Sequence, residues 1–161
     1  MTEREYNACV DQYADAVYRF ILKNLRHEAD AQDVVQSAFE KLWIHREQVD
    51  NARAKSYLFT VAYNQMIDQL RKSKRVQLAE EFPEQLRTTA PAPGGLKKAL
   101  QVALDRLNPT QRSLVMLKDY EGYSYEEIGE ITGLNASQVK VYLHRARLSL
   151  RNYLVHAENV L

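Results

Sequence analysis

A chain of 161 residues, 45% of them hydrophobic, is long enough for one folded domain or two small ones and has the composition of a globular protein. Its 22 Lys and Arg nearly cancel 21 Asp and Glu, so overall charge points to no partner and only local charge can. The single cysteine, Cys9, excludes a disulfide framework and a Cys-cluster zinc site and fits a reducing cytoplasm, and no apolar run approaches the ~18 residues of a membrane span.

The opening "MTEREYNACVDQY" is charged and has no apolar h-region, so neither a secretion signal nor membrane insertion is expected. Spacing predicts a first helix over about Tyr6 to Leu25, with Tyr13, Val17, Phe20 and Ile21 on one side. A second helix is expected to start at Asp30 as N-cap and to bury Val35, Ala38, Phe39 and Leu42. Its other side carries Asp33, Gln36, Glu40 and Trp43 together, and a solvated face rarely ends in a tryptophan. Either that face meets a partner, or Trp43 folds back onto the bundle.

A third helix runs from about Ala54 to Arg75. Phe59, Ala62, Met66 and Leu70 form its apolar stripe, while Tyr57, Thr60, Asn64, Asp68, Arg71 and Arg75 follow the same period on another face. It ends in "RKSKR", which reads either as a nucleic-acid track or as cations that suit a solvated helix C-terminus. Pro83, Pro91, Pro93, Gly94 and Gly95 then cluster, marking a linker over roughly Val76 to Gly95. As a flexible coil of about 20 residues it would average roughly 25 Å end to end, so its length is expected to matter more than its sequence.

Beyond the linker, "LNPTQR" is a helix start, with Asn108 as cap, Pro109 at the first helical position and Gln111 at the third. Ser124 and Glu127 form a second capping box, Ile128 and Ile131 point inward, and Gly133 breaks the helix. A further helix follows from about Ala136, with Val139, Leu143, Ala146 and Leu150 buried. Two short helices joined by a glycine turn make a helix-turn-helix, and Gly129 supplies a small residue where the pair would approach closely. No strand-like alternation occurs, so the expected fold is all-α: two small helical domains joined by a flexible linker, the second containing the helix-turn-helix.

From Ile131 to Ala157 there is no acidic residue. Lys140, Arg145, Arg147 and Arg151, with Ser137, Gln138 and His144 between them, give a local positive surface of the kind a helix in a DNA groove requires. The alternative is an ordinary basic surface helix. A catalytic reading finds little support: His27, His45, His144 and His156 are scattered, there is no Gly-rich phosphate loop, and Asp30 and Asp33 lack companion oxygen ligands at regular offsets. No enzyme, metal site or cofactor is expected.

Read together, these segments resemble the extracytoplasmic-function sigma factors, the smallest of the sigma-70 class, which bind bacterial RNA polymerase core and direct it to promoters. "DAQDVVQSAFEKLW" is similar to the family's core-binding helix, "SYLFTVAYNQMIDQLRKSKR" to its −10 helix, and "LDRLNPTQRSLVMLKDYEGYSYEEIGEITGLNASQVKVYLHRARLSLR" to its −35-binding domain. The resemblance implies a region 2-like domain over residues 1–75, a linker over 76–95 and a region 4-like domain over 96–161. It implies that Asp30, Asp33, Gln36, Glu40 and Trp43 meet the clamp helices of the polymerase's largest subunit, with a second contact at the flap. It also implies that the loop residues Asn51, Arg53 and Lys55 capture a flipped −10 base, beside a track of Tyr57, Asn64, Arg71, Lys72, Lys74 and Arg75. Ser137, Gln138, Lys140, Val141, His144, Arg145, Arg147 and Arg151 would meet −35 DNA, and an anti-sigma protein would supply control. The sequence departs from the family pattern at Tyr57, where many members have tryptophan, at "DNAR", where an Asn-Pro turn is commoner, and at Val141 and Tyr142. The competing readings are a helix-turn-helix regulator that acts without joining the polymerase, and an adaptor whose basic helix binds an acidic protein.

Overall fold

The computed structural model describes residues 1–79 and 95–160, with side chains placed for 1–73 and 95–156. Among these there are seven α-helices and no strand: α1 Glu3–Leu25, α2 Glu28–Ile44, α3 Ala54–Ala79, α4 Gly95–Arg106, α5 Pro109–Val115, α6 Tyr125–Thr132 and α7 Ala136–Val160. A 3-10 turn, Asn51–Arg53, leads into α3, and a π-helical turn, Met116–Tyr120, continues α5. The predicted linker falls mostly on residues 80–94, outside the described residues. Its first four residues, Val76 to Ala79, belong to α3, and Gly95 opens α4.

Capping chemistry sets where the helices begin. Asn108 accepts from the Gln111 N–H at 2.8 Å and Gln111 returns the bond, and Ser124 and Glu127 do the same for α6. Those backbone and hydroxyl bonds from Ser124 hold the Glu127 carboxyl below the usual carboxylate range. The start of α2 differs from expectation. His27, not Asp30, is the cap: its Nδ1 accepts from the Asp30 N–H at 3.3 Å, so the helix begins three residues early and Asp30 sits in its first turn. The buried register of α2 is Ala31, Val34, Ala38, Phe39 and Leu42. Val35 is only half-buried, because Val34 points straight at the core.

Helices α1, α2 and α3 pack as one bundle and α4 to α7 as another, and the two bundles share a core. Rings chain across the seam: Phe20 of α1 meets Phe59 of α3 at 5.5 Å, and Phe59 meets Tyr123, just before α6, at 5.6 Å. These edge contacts each add of order 0.5–1.5 kcal/mol to the burial of the rings themselves. Polar groups reinforce the seam. Arg26 ends α1 in the left-handed region at φ 57°, and its guanidinium meets Asp105 of α4 at 2.6 Å. Arg112, buried in α5, donates to the carbonyls of Leu104, Asp105 and Leu107 and reaches the carbonyl of Asn24 in α1.

The α6–α7 turn needs glycine twice, for different reasons. Gly133 takes φ 81° as the C-cap of α6, a conformation only glycine adopts freely. Gly129 is helical, but a Cβ there would stand 2.6 Å from the carbonyl oxygen of Leu134 in the turn. The close approach expected at Gly129 is therefore made by turn backbone. Gly129→Ala would gain up to ~1 kcal/mol of helix propensity but force that backbone apart at ~1–3 kcal/mol. A net loss of stability is expected, read as a lower urea midpoint with an unchanged slope.

Candidate protein and nucleic-acid interfaces

Burying Ala31, Val34, Ala38 and Leu42 turns the opposite side of α2 to solvent, and Asp33, Gln36, Glu40 and Trp43 all stand exposed there. Gln36 donates to the Glu40 carboxylate at 3.4 Å, while Asp33 forms no ion pair among the described residues. Asp30 is half-buried beside His27. Trp43 is neither core nor bare: it is 37% exposed. Tyr6 of α1 packs on its ring at 4.9 Å, edge to face, and the Arg46 guanidinium lies over it at 3.9 Å.

Along α3 the residues singled out from the sequence divide into two groups. Tyr57, Asn64 and Arg71 share one face, spaced by seven, with Asn64, Arg71 and Lys72 exposed. Tyr57 is half-buried, its hydroxyl donating to the Lys41 carbonyl at 3.4 Å, and burial pushes its phenol up. Asn51 and Arg53 are exposed at the helix entrance, and the Cys9 thiol donates to Asn51 Oδ1 at 3.5 Å. Lys55 does not join them. Two residues before Tyr57 it points the other way round the helix, to Glu121 at 3.8 Å and over the Tyr123 ring at 4.8 Å. Lys74 and Arg75 lie on the helix, with side chains outside the described residues.

On α7 the buried side is Val139, Leu143, Ala146 and Leu150, which leaves Ser137, Gln138, Lys140, Val141, His144, Arg145, Arg147 and Arg151 exposed. They are not equally free. Gln138 closes a reciprocal cap with Asn135, accepting from its N–H at 3.0 Å, so its carbonyl oxygen is already engaged. Arg147 is gripped by Asp119 of the π turn through Nε at 3.3 Å and through Nη2. Lys140 lies 5.3 Å from the centre of the Tyr125 ring, which Lys118 also covers at 4.6 Å. Arg145 and Arg151 form no ion pair among the described residues. Val141 and Leu148 face outward between these cations.

The partners of these side chains escaped the sequence reading. Arg46, three residues after Trp43, was accessible to helix-spacing arguments. Tyr6 and Asp119 were not, since they lie 37 and 28 residues from the side chains they hold. Among the described residues no group of three or more His, Cys, Asp or Glu could hold a metal ion, and no helix is long and apolar enough to cross a membrane.

Comparison with known proteins places the two bundles. The family model for sigma-70 region 2 matches residues 9–76, and that for sigma-70 region 4 matches residues 97–150. The chain is 33% identical over 158 residues to the ECF RNA polymerase sigma factor SigE of Mycolicibacterium smegmatis, covering 92% of this chain and 61% of that protein. It is 30% identical to the ECF RNA polymerase sigma factor SigL of Mycobacterium tuberculosis, covering 89% of this chain and 85% of that one. Its fold is similar to that of the sigma factor RpoE solved in complex with the anti-sigma factor NepR from Bartonella quintana, with TM-score 0.76, 25% identity and coverage of 94% and 97%. A C-terminal helix without an acidic residue from Ala136 to Ala157, a solvent-facing α2 surface ending in a tryptophan and these matches along nearly the whole chain agree: the protein belongs to the ECF sigma factors of the sigma-70 class.

Proposed function

We propose that the chain joins RNA polymerase core in the cytoplasm and directs it to promoters, docking through α2, stabilising the opened −10 region with α3 and its entrance turn, and holding −35 DNA with α7. The observation that carries this reading is the α2 face. Asp33, Gln36, Glu40 and Trp43 stand exposed on a helix whose other side is fully committed to the core, and a regulator that bound DNA alone would have no use for them. An acidic, amide-bearing face with an aromatic anchor suits an arginine-rich surface such as a basic coiled coil. Opening a promoter without a nucleotide cofactor requires binding energy from unstacked bases, which the exposed Asn51, Asn64 and Arg71 beside Tyr57 are suited to supply. The related Bartonella sigma factor is held by an anti-sigma protein, and we extend that mode of control to this chain. The deciding experiment is reconstitution: the purified chain added to purified core should start run-off transcription at a specific promoter. Specific DNA binding by the free chain, with no effect on core, would favour the regulator instead.

The ion pair on α7 sharpens what mutagenesis should show. Affinity for −35 DNA should fall with salt by a log–log slope of about −0.9 per phosphate neutralised. Arg145→Ala and Arg151→Ala should each flatten that slope by roughly one unit. Arg147→Ala should leave it nearly unchanged, because Asp119 already holds that guanidinium; its cost should appear as up to ~1 kcal/mol of stability. Salt titrations of the three variants on one duplex test this, and equal flattening by all three would show that Arg147 leaves Asp119 for DNA.

A further inference from the structure

We infer that Tyr6 and Arg46 are positioning residues for polymerase docking, holding the indole of Trp43 in the one orientation that its partner receives. The inference rests on the reading of the α2 face as the docking surface. An exposed tryptophan at the end of a helix has two free side-chain torsions, and fixing them on binding weakens the complex unless they are already fixed. Here they are. The Tyr6 ring packs on the indole at 4.9 Å and on Phe39 at 6.5 Å, and its hydroxyl donates to the Phe39 carbonyl at 3.0 Å, which ties α1 to α2 beside the indole. Burial, then the nearby Glu40 carboxylate, push the Tyr6 phenol up, so it stays a neutral donor across the physiological range. Arg46 lays its guanidinium over the ring at 3.9 Å and anchors itself through Nη1 to the Trp43 carbonyl at 2.8 Å. A guanidinium so placed adds cation–π attraction and covers ring surface that would otherwise be wet. The 37% of Trp43 left exposed is then a fixed apolar facet beside Glu40. Neither Tyr6 nor Arg46 need touch the polymerase for this.

Trp43 is the chain's only tryptophan, so its fluorescence reports the cradle directly. In the full-length chain, Tyr6→Ala and Arg46→Ala should increase acrylamide quenching and reduce the near-ultraviolet dichroism of the indole, with far-ultraviolet spectra unchanged. Affinity for core polymerase should fall about 3- to 10-fold for each. Tyr6→Phe keeps the ring against the indole and folds if the parent does; it should stay within about twofold of the parent in affinity. Trp43→Ala should lose about 30-fold or more, and adding Tyr6→Ala to it should cost nothing further, since there is no indole left to position. If Tyr6→Ala weakens core binding equally with and without Trp43, or if quenching rises while affinity holds, positioning is wrong and the docking reading stands. If Trp43→Ala binds core normally, the docking reading of this face fails, and the cradle inference with it.

Discussion

Asp33→Lys is expected to remove the chain from core polymerase: co-elution in gel filtration lost and affinity down by 100-fold or more. The substitution should be silent for the fold. Asp33 is exposed, it forms no ion pair among the described residues, and it lies past the first turn of α2, where the helix dipole has little hold on it. The cost arises only across an interface, where truncating or reversing one member of a close charge pair typically loses about 2–5 kcal/mol, or roughly 30- to several thousand-fold. Helicity and binding of α7 to −35 DNA should both be retained. A charge-reversed chain that still co-elutes with core would take Asp33 out of the docking surface.

Arg112→Met should be the most damaging single change to the fold. The guanidinium is buried at the ends of two helices, donating to Leu104 at 3.0 Å, Leu107 at 2.8 Å and Asp105 at 3.2 Å in and after α4, and to Asn24 at 3.5 Å near the end of α1. Carbonyls at a helix C-terminus have no partner within the helix, and their dipoles favour a cation there. Leu104 also accepts from the Leu107 N–H and Asp105 from Arg26, so methionine, which fills the space, strands chiefly the carbonyls of Leu107 and Asn24, at about 1–3 kcal/mol each. A loss of about 3–5 kcal/mol is expected, or a melting temperature lower by roughly 10 °C for a chain of this length. Arg112→Lys should recover less than half, because an ammonium cannot span the set. Urea titration measures both; a loss under about 1 kcal/mol would mean that the carbonyls find other partners.

What could be read from the sequence was what depends on neighbours three or four residues away. The Asn108–Gln111 and Ser124–Glu127 boxes, the break at Gly133 and the buried sides of α3 and α7 are all local in this sense. The misreading of α2 was local too: His27 and Asp30 both suit a cap, and it is the His27 imidazole that meets the backbone, with Val34 on the core. Residues on the candidate faces could be listed, but not the company they keep. That Asp119 grips Arg147, that Gln138 closes a cap, and that Tyr6 and Arg46 hold Trp43 depend on how α1, α2, the π turn and α7 meet. Nor did any local pattern announce that the two bundles would share a core. Arg112 and Asn24 are 88 residues apart, and Phe59 needed Tyr123 to complete its surroundings.

Lys55 carries the consequence of that shared core into solution behaviour. Its ammonium faces Glu121 and Tyr123 of the second bundle, so a phosphate that engages Lys55 competes with that carboxylate and that ring. A ligand that bound Lys55 only with the bundles apart would have its apparent Kd multiplied by the inverse of the parted fraction. One parted molecule in a hundred would weaken such a ligand about 100-fold. An assembly that held the bundles apart would restore that factor without adding one new contact to DNA.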